Sequence, residues 1–254
     1  MTDRLFDVRD RVVMVAGGAG GLGVVLARAF AERGARIALA DIDGTRARKF
    51  AETLGAADGN GLGCALDVRK QTSCADAVGR VVKRFGRLDV LINAVGIFST
   101  AAAVDLDRRT WDATIATNLS GAFLIAQAAG RIMVKKKSGR IITIASASSR
   151  VANPGYAAYA ASKAGVSQLT RVLALEWAPF GVTVNAIGPA MTPTPLTREL
   201  LADRERHAAA LARIPLGRFG TPEDLIGVAV LLASDAGSFI TGQTIFVDGG
   251  RTLV

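Results

Sequence analysis

Residues 11–23 of the chain read RVVMVAGGAGGLG, and this stretch sets the architecture of everything that follows. Its first half is apolar and β-branched, which is typical of a buried strand. Its second half has the spacing Gly17-x3-Gly21-x-Gly23, and residues 24–33 then read as a helix. A strand, a glycine turn and a helix in succession predict a dinucleotide-binding unit, because small residues let the backbone approach a pyrophosphate at a helix N-terminus. A glycine turn that serves only packing is the alternative.

The next strand pattern, at residues 35–40, ends at an acidic residue. Asp41 lies 24 residues after Gly17. A carboxylate near this spacing accepts hydrogen bonds from ribose hydroxyls and repels a 2′-phosphate. Ile42 follows, so no adjacent cation offsets the repulsion. Asp41 therefore favours NAD over NADP, and an N-cap for a helix at 45–54 is a second role compatible with the first.

Strand and helix patterns alternate along the rest of the chain without repeats, low-complexity tracts or a linker. This alternation predicts one α/β domain over residues 1–254, a Rossmann-type doubly wound parallel sheet of about seven strands with helices on both faces. The later strand patterns are at 62–66, 88–92, 140–146, 181–187 and 244–247, and helical patterns are at 72–85, 108–134 and 164–178. The Pro- and Thr-rich segment at about 190–213 is predicted to form a mobile, lid-like cover.

A tyrosine and a lysine lie four residues apart in the segment YAASK at 159–163, so they share one face of a helix. Because a neighbouring ammonium favours the phenolate, we expect Lys163 to lower the pKa of Tyr159 and to make it a proton donor or acceptor near neutral pH. Ser146 ends the preceding strand pattern, where it could hydrogen-bond a substrate oxygen. Asn118 interrupts a predicted helix, which favours a bend or a water site opposite Tyr159 over simple exposure. The alternative is that the spacing arose by chance, because a tyrosine four residues before a lysine is common in helices without any catalytic role.

The composition of the chain argues against nucleic-acid binding, metal binding and a membrane location. The chain has 31 Lys and Arg against 22 Asp and Glu, a formal charge of +9, but its basic residues are dispersed apart from the runs at 46–49 and 135–137. Such runs are typical of solvated helix faces and ends, so we expect no nucleic-acid partner. Two separated cysteines and one histidine provide no metal-ligand cluster. No apolar signal segment or membrane-length run is found, and we expect a soluble, cytoplasmic protein.

Several motifs occur together in the register of a known family: Gly17-x3-Gly21-x-Gly23, Asp67, Asn93, Asn118, Ser146, Tyr159-x3-Lys163, Pro189 and Thr194. On these residues the chain closely resembles the short-chain dehydrogenase/reductase family over essentially its whole length. The resemblance implies that Tyr159 is the catalytic acid/base and that Ser146, 13 residues before it, orients the substrate oxygen. It also implies that Lys163 lowers the tyrosine pKa and holds the nicotinamide ribose, and that Asn118 positions a water that relays protons to that lysine.

The same resemblance, together with the glycine and Asp41 arguments, assigns a cofactor site for NAD. Its expected residues are Gly17, Gly20, Gly21, Leu22, Gly23, Asp41, Ile42, Asp67, Val68, Asn93, Ala94, Gly96, Tyr159, Lys163, Pro189, Thr192 and Thr194. Asp67 and Val68 would hold the adenine. Ala16, Ala94 and Ala190 depart from the residues usual in the family, and we expect them to alter the grip on the cofactor without touching a catalytic group.

The activity implied by the resemblance is transfer of a hydride between nicotinamide and a secondary alcohol or ketone. Residues 224–250 look most similar to gluconate 5-dehydrogenase and related polyol or sugar-acid dehydrogenases. A 3-oxoacyl reductase and a hydroxysteroid dehydrogenase stay open as alternatives. A protein of another class, which senses dinucleotides or binds nucleic acid without turnover, also stays open.

The surroundings of the predicted site lie in loops, and loops carry the specificity of such folds. The loops at 97–104, 147–156 and 190–213 are expected to form the substrate pocket. Arg150, Arg198 and Arg204 are candidates to meet a substrate carboxylate, and a surface position is the alternative for each. The family resemblance further implies a homotetramer, built by helices around 111–134 and 156–178 and by the C-terminal strand.

Overall fold

The computed structural model describes residues 4–56, 59 and 61–254. Residues 1–3, on which the expectation of no signal segment partly rests, lie outside the described residues. The strands are β1 (Val12–Ala16), β2 (Arg36–Asp41), β3 (Gly61–Ala65), β4 (Val90–Asn93), β5 (Gly139–Ile144), β6 (Val182–Pro189) and β7 (Thr244–Val247). In the described part of the chain these seven strands form one sheet in the order β3-β2-β1-β4-β5-β6-β7, and every pairing is parallel.

Helices connect the strands and cover both faces of the sheet. They are α1 (Gly21–Ala31), α2 (Gly44–Ala51), α3 (Gln71–Phe85), α4 (Arg108–Ile115), α5 (Gly121–Lys136), α6 (Ala157–Trp177), α7 (Arg198–Ala202), α8 (Arg204–Leu211) and α9 (Ile226–Ala233). Helices α1, α2 and α9 pack on one face, and α3, α5 and α6 pack on the other. The predicted doubly wound parallel sheet is confirmed.

The continuous apolar sequence of β1 follows from this double cover. Successive side chains of a strand point to opposite faces, so both sets must be apolar when helices lie on each side. Met14 packs into the core formed with α3 and α5, whereas Val13 and Val15 pack into the core formed with α1. All the residues of β1 are buried.

Two local expectations have clear outcomes. The helix predicted at 108–134 is interrupted by a π-helical turn at Ala116–Ser120, so the irregularity predicted at Asn118 is confirmed. The N-cap role considered for Asp41 is wrong. Asp43 caps α2, since its Oδ1 accepts hydrogen bonds from the backbone N–H groups of Thr45 at 3.1 Å and Arg46 at 2.9 Å. Asp41 lies too far before the first turn to reach those donors.

The basic run at 135–137 lies at the C-terminal end of α5, as predicted for a helix end, where cations oppose the negative end of the helix dipole. Lys136 there pairs with Asp89, which also binds Arg87 and the N–H of Val12. Burial acts to raise the pKa of Asp89, but these hydrogen bonds outweigh it and the pKa is lowered.

Within the described residues, no helix has the length and apolarity to cross a membrane, and no His, Cys, Asp or Glu group is arranged to hold a metal.

Candidate active site

The glycine turn after β1 is closely packed. Gly17 has a φ of +75°, a conformation that favours glycine, and its N–H donates to the carbonyl of Ala40 at 2.8 Å. A Cβ atom at Gly23 would lie 2.1 Å from the carbonyl oxygen of Gly17, and a Cβ at Gly21 would lie 3.1 Å from atoms of Thr194 and Pro195. The first turn of α1, with its unpaired N–H groups, therefore approaches both the glycine turn and the loop that follows β6.

We expect Gly23→Ala to lower the free energy of unfolding by about 3 kcal/mol, because the new methyl group overlaps a backbone oxygen that has no room to move. Gly79→Ala in α3 is the matched control, since apart from the two chain neighbours and the backbone of its own helix no heavy atom lies within 4 Å of the added Cβ. That control is expected to gain about 0.5–1 kcal/mol from helix propensity. Urea unfolding of both variants measures the difference, and equal stabilities would contradict the packing argument.

The carboxylate of Asp41 lies beside this turn, at the end of β2. Its Oδ2 accepts a hydrogen bond from the N–H of Ala19 at 3.0 Å, and its Oδ1 accepts one from the N–H of Asp43 at 3.1 Å. Each carboxylate oxygen can accept more than one hydrogen bond, so both oxygens keep capacity for a ligand hydroxyl. Ile42 is 70% exposed next to it. The geometry places one negative charge between the glycine turn and solvent.

The candidate residues after β3 and β4 lie along the same edge of the sheet. The Asp67 carboxylate binds the Arg69 guanidinium through Nε and Nη2, both at 2.9 Å, and this hydrogen bonding lowers the pKa of Asp67. Val68 is buried against Gly121 of α5. Asn93 is buried, and its Oδ1 accepts a hydrogen bond from the N–H of Val95 at 3.2 Å, which shapes the turn after β4.

A cleft of about 550 Å³ opens beyond the carboxyl ends of the strands. The predicted residues that line it are Leu22, Ala94, Gly96, Ser146, Tyr159, Lys163, Pro189, Thr192 and Thr194. The other predicted residues lie outside the described lining: Gly17, Gly20, Gly21, Gly23, Asp41, Ile42, Asp67, Val68, Asn93 and Asn118. The loops predicted to form the substrate pocket, at 97–104, 147–156 and 190–213, all contribute residues to the lining of this cleft.

Ser146, Tyr159 and Lys163 meet at the base of this cleft. Ser146 lies two residues after the end of β5, and its Oγ accepts a hydrogen bond from the N–H of Ser148 at 3.0 Å. Tyr159 and Lys163 come from the first turns of α6, as the four-residue spacing predicts. The Lys163 Nζ is buried, donates to the carbonyl of Ile144 at 2.8 Å and lies 5.7 Å from the centre of the Tyr159 ring.

The electrostatics of the pair differ from the sequence prediction. Burial raises the pKa of Tyr159, and although interaction with the Ser146 hydroxyl opposes this, the net direction is upward. Burial also lowers the pKa of Lys163 to about 8. The expectation that Lys163 lowers the tyrosine pKa is wrong for this structure. Its ammonium is directed to the Ile144 carbonyl, and loss of hydration disfavours the charged form of both groups.

Asn118 occupies the π-helical turn and is 1% exposed. Its Oδ1 accepts a hydrogen bond from the N–H of Ile97 at 2.8 Å, and its Nδ2 donates to the carbonyl of Ile97 at 3.0 Å and to the Ser162 hydroxyl at 3.1 Å. A Cβ at Gly96 would lie 3.5 Å from both Asn118 Oδ1 and Lys163 Nζ. The Asn118 side chain therefore braces the loop after β4 against α6, beside Lys163.

The sequence argument missed the aromatic side of the cleft. The ring of Phe98 packs edge-on against Tyr159 at 4.8 Å between centroids and against Tyr156 at 4.9 Å. The signal was present, because the chain has only two tyrosines and they lie three residues apart, at the N-terminal end of α6. Phe98 had no such signal, since a loop side chain has no periodicity from which its direction can be read.

The arginines of the cleft also differ from those expected. Arg150 lies over the Phe246 ring at 5.8 Å and lines a second depression on the surface, and Arg198 and Arg204 are exposed and absent from the described lining of the cleft. All three therefore take the alternative surface role. The cleft is instead lined by Arg206, Arg213 and Arg251.

Comparison with known proteins gives a consistent result. Residues 17–252 match the family model described as enoyl-(acyl carrier protein) reductase. D-threitol dehydrogenase of Mycolicibacterium smegmatis is 41% identical over 98% of this chain and 96% of that protein. NAD-dependent glycerol dehydrogenase of Listeria innocua is 37% identical over 99% of this chain and 97% of that protein. The crystal structure of a gluconate 5-dehydrogenase from Burkholderia cenocepacia, in complex with NADP and tartrate, superposes with a TM-score of 0.92 at 34% identity, covering 99% of this chain and 98% of that one.

The parallel sheet, the glycine turn and the cleft at the strand ends define a Rossmann-type nucleotide-binding fold. With these matches over nearly the whole sequence, the chain belongs to the short-chain dehydrogenase/reductase family of oxidoreductases.

Proposed function

We propose that the protein is an NAD-dependent oxidoreductase that interconverts a secondary alcohol and a ketone on a polyol or a sugar acid. The observation that carries the proposal is the meeting of Ser146, Tyr159 and Lys163 in one cleft beside the glycine turn. The named activities of the relatives, on threitol, glycerol and gluconate, support the substrate class. A protein that only senses dinucleotides or binds nucleic acid has no need for a buried Tyr–Lys pair beside a serine.

The proposed reaction needs a proton transfer, and the residues of the cleft are suited to it. The nicotinamide, when bound, supplies or accepts the hydride. Tyr159 gives a proton to, or takes one from, the substrate oxygen, and Ser146 hydrogen-bonds the same oxygen and holds it in place. Lys163, buried next to the tyrosine ring, would hold the nicotinamide ribose. Asn118 holds the neighbouring loop in position.

The residues along the sheet edge fit a dinucleotide. The glycine turn and the first turn of α1 form a cradle that a Cβ would fill at Gly23, and backbone N–H groups there suit a pyrophosphate. Asp41 would accept hydrogen bonds from the ribose hydroxyls with its remaining lone pairs. Asn93, Thr192 and Thr194 would border the nicotinamide end of the dinucleotide. The charge of Asp41, with Ile42 beside it, supports NAD as the preferred cofactor.

Removing that charge is expected to relax cofactor choice. We expect Asp41→Asn to reduce the ratio of kcat/KM with NAD to kcat/KM with NADP by about tenfold, because the repulsion of a 2′-phosphate is lost along with an acceptor for the ribose. Asp43→Asn is the control: it removes the same charge two residues away, and asparagine still caps α2. Steady-state kinetics with both cofactors measures the ratio. An equal change in the two variants would show that general charge, and not Asp41, sets the preference.

We further propose a single catalytic domain in which the segment at 190–213 acts as a lid, since Leu196, Leu200 and Arg206 line one side of the cleft. A homotetramer is supported by exposed apolar side chains on the helices expected to form its contacts, Trp111 and Phe123 on α4 and α5 and Leu175 on α6. The two cysteines, free and buried, support a reducing, cytoplasmic location.

The test is turnover followed by NADH fluorescence across polyols, sugar acids, an acyl thioester ketone and a hydroxysteroid, with NADP run in parallel. Oxidation of polyols or sugar acids with NAD is the expected result. Turnover of the thioester alone would reject the proposal and identify the protein as a 3-oxoacyl reductase. Binding of the cofactor with no turnover of any compound would favour the sensor.

A further inference from the structure

The lining of the cleft is strongly unbalanced in charge. Four cationic side chains reach it, Lys163, Arg206, Arg213 and Arg251, whereas none of the described residues in its lining is an aspartate or a glutamate. Lys163 belongs to the reaction centre. The three arginines come from the segment after β6 and from the residues that follow β7, so distant parts of the chain bring positive charge to one place.

Two of these arginines are fixed by a single neutral acceptor. Oδ1 of Asn153 accepts a hydrogen bond from Arg213 Nη1 at 2.9 Å and another from Arg251 Nη2 at 3.1 Å. The Nδ2 of Asn153 donates to Ser148 Oγ at 3.4 Å, and the N–H of Ser148 donates to Ser146 Oγ at 3.0 Å. The guanidinium pair is therefore held at a defined position relative to the serine of the reaction centre.

Among the described residues, no aspartate or glutamate forms an ion pair with either arginine of this pair. Burial lowers the pKa of Arg251 and the charge of Arg213 lowers it further, while Asp248 opposes these effects only in part. The Asp248 oxygens accept from the N–H groups of Gly250 at 3.0 Å and Thr252 at 2.8 Å. Arg213 donates its other N–H groups to no described residue, whereas Arg251 also donates from Nη1 to the backbone oxygen of Val254 at 2.8 Å and keeps its remaining N–H groups. Two neighbouring guanidinium groups with free donors suit an oxyanion, which they can bind in a planar, two-point geometry.

We propose that Arg213 and Arg251, held by Asn153, form an anion subsite that binds a terminal carboxylate or phosphate of the substrate, with Arg206 at its rim. The inference rests on the proposed function and narrows it to polyol derivatives that carry an anionic end group. The anionic end then lies beyond Asn153, and the reacting hydroxyl lies toward Ser146 and Tyr159.

The test uses compounds that share one carbon skeleton and differ in charge: threitol, threonate of matched configuration and threitol monophosphate. Their binding to the NADH-bound enzyme is measured by titration calorimetry, so the result does not depend on turnover. We expect threonate or the phosphate to bind at least about tenfold more tightly than threitol. The tighter of the two anions identifies the natural end group.

Variants then locate the subsite. Arg213→Gln combined with Arg251→Gln should abolish the preference for the anions and leave threitol binding within about twofold, while Arg213→Lys with Arg251→Lys should restore part of it. Arg198→Gln with Arg204→Gln is the control, since it removes the same charge from the same region outside the cleft. Equal affinity for threitol and both anions, no binding of either anion, or equal losses in the test and control variants would each overturn the subsite.

Failure of the two proposals can be told apart. Anion binding that depends on Arg213 and Arg251, without oxidation of any compound by NAD, keeps the subsite and rejects the proposed activity. Oxidation of threitol with no preference for the charged analogues keeps the activity and rejects the subsite.

Discussion

Tyr159→Phe is expected to lower kcat/KM by about a thousandfold, while NADH binds as it does to the unchanged protein. The substitution removes only the phenolic O–H, the group that transfers the proton in the proposed reaction. The ring keeps its edge-on contact with Phe98, at 4.8 Å between centroids, so the shape of the cleft is preserved. Steady-state kinetics measures the loss, and fluorescence titration with NADH measures binding.

Tyr156→Phe is the matched control for that variant. Tyr156 lines the same cleft, packs on the same Phe98 ring and also has a pKa raised by burial, but it precedes α6 and lies seven residues before Lys163. We expect it to lose less than about tenfold in kcat/KM, because it holds no reacting proton. Similar losses in the two variants would mean that Tyr159 acts through packing and not as the acid/base.

Lys163→Met is expected to inactivate the protein and at the same time to stabilise it. In the cofactor-free protein at pH 7, we expect the free energy of unfolding to rise by about 1–3 kcal/mol. Methionine fills a similar volume without a buried ammonium, although the Ile144 carbonyl loses its partner, a loss of about 1 kcal/mol. Activity falls because the side chain proposed to hold the nicotinamide ribose is lost. A residue that destabilises the fold and is needed for turnover is typical of active sites.

The pH dependence identifies the cause. The pKa of Lys163 is about 8 in the folded protein and 10.5 in its ordinary state, so the unfolded chain holds this proton more tightly. The destabilisation is therefore complete below about pH 8 and declines as the pH rises toward 10.5. The stability advantage of Lys163→Met should decline over the same interval, as measured by urea unfolding at several pH values.

Lys135→Met, at the exposed end of α5, is the control for that series. It should change stability by less than about 0.5 kcal/mol at every pH, because its ammonium stays hydrated in both states. A constant difference between Lys163→Met and the unchanged protein across the pH series would contradict burial of the charge as the cause.

Much of the architecture follows from sequence pattern alone, for a physical reason that particular residues illustrate. The apolar run at β1 and the glycines after it predict a covered parallel strand and a close helix, and both are present. Parallel strands end at one edge of a sheet, so Asn93, at the end of β4, and Ser146, two residues after β5, lie at the same edge. Helical spacing then brought Tyr159 and Lys163 to that edge.

Properties that depend on burial and on side-chain direction were decided only by the tertiary structure. The pKa of Tyr159 rises because neighbours exclude water from it, and no spacing of residues reveals that exclusion. Arg150 turns away from the cleft, whereas Arg251 enters it to meet Asn153, 98 residues earlier in the chain. Local periodicity carries information over a few residues, so it determined the sheet, its helices and the Tyr–Lys face. The charge around the substrate depends on packing between distant loops, and it appears only when the chain is folded.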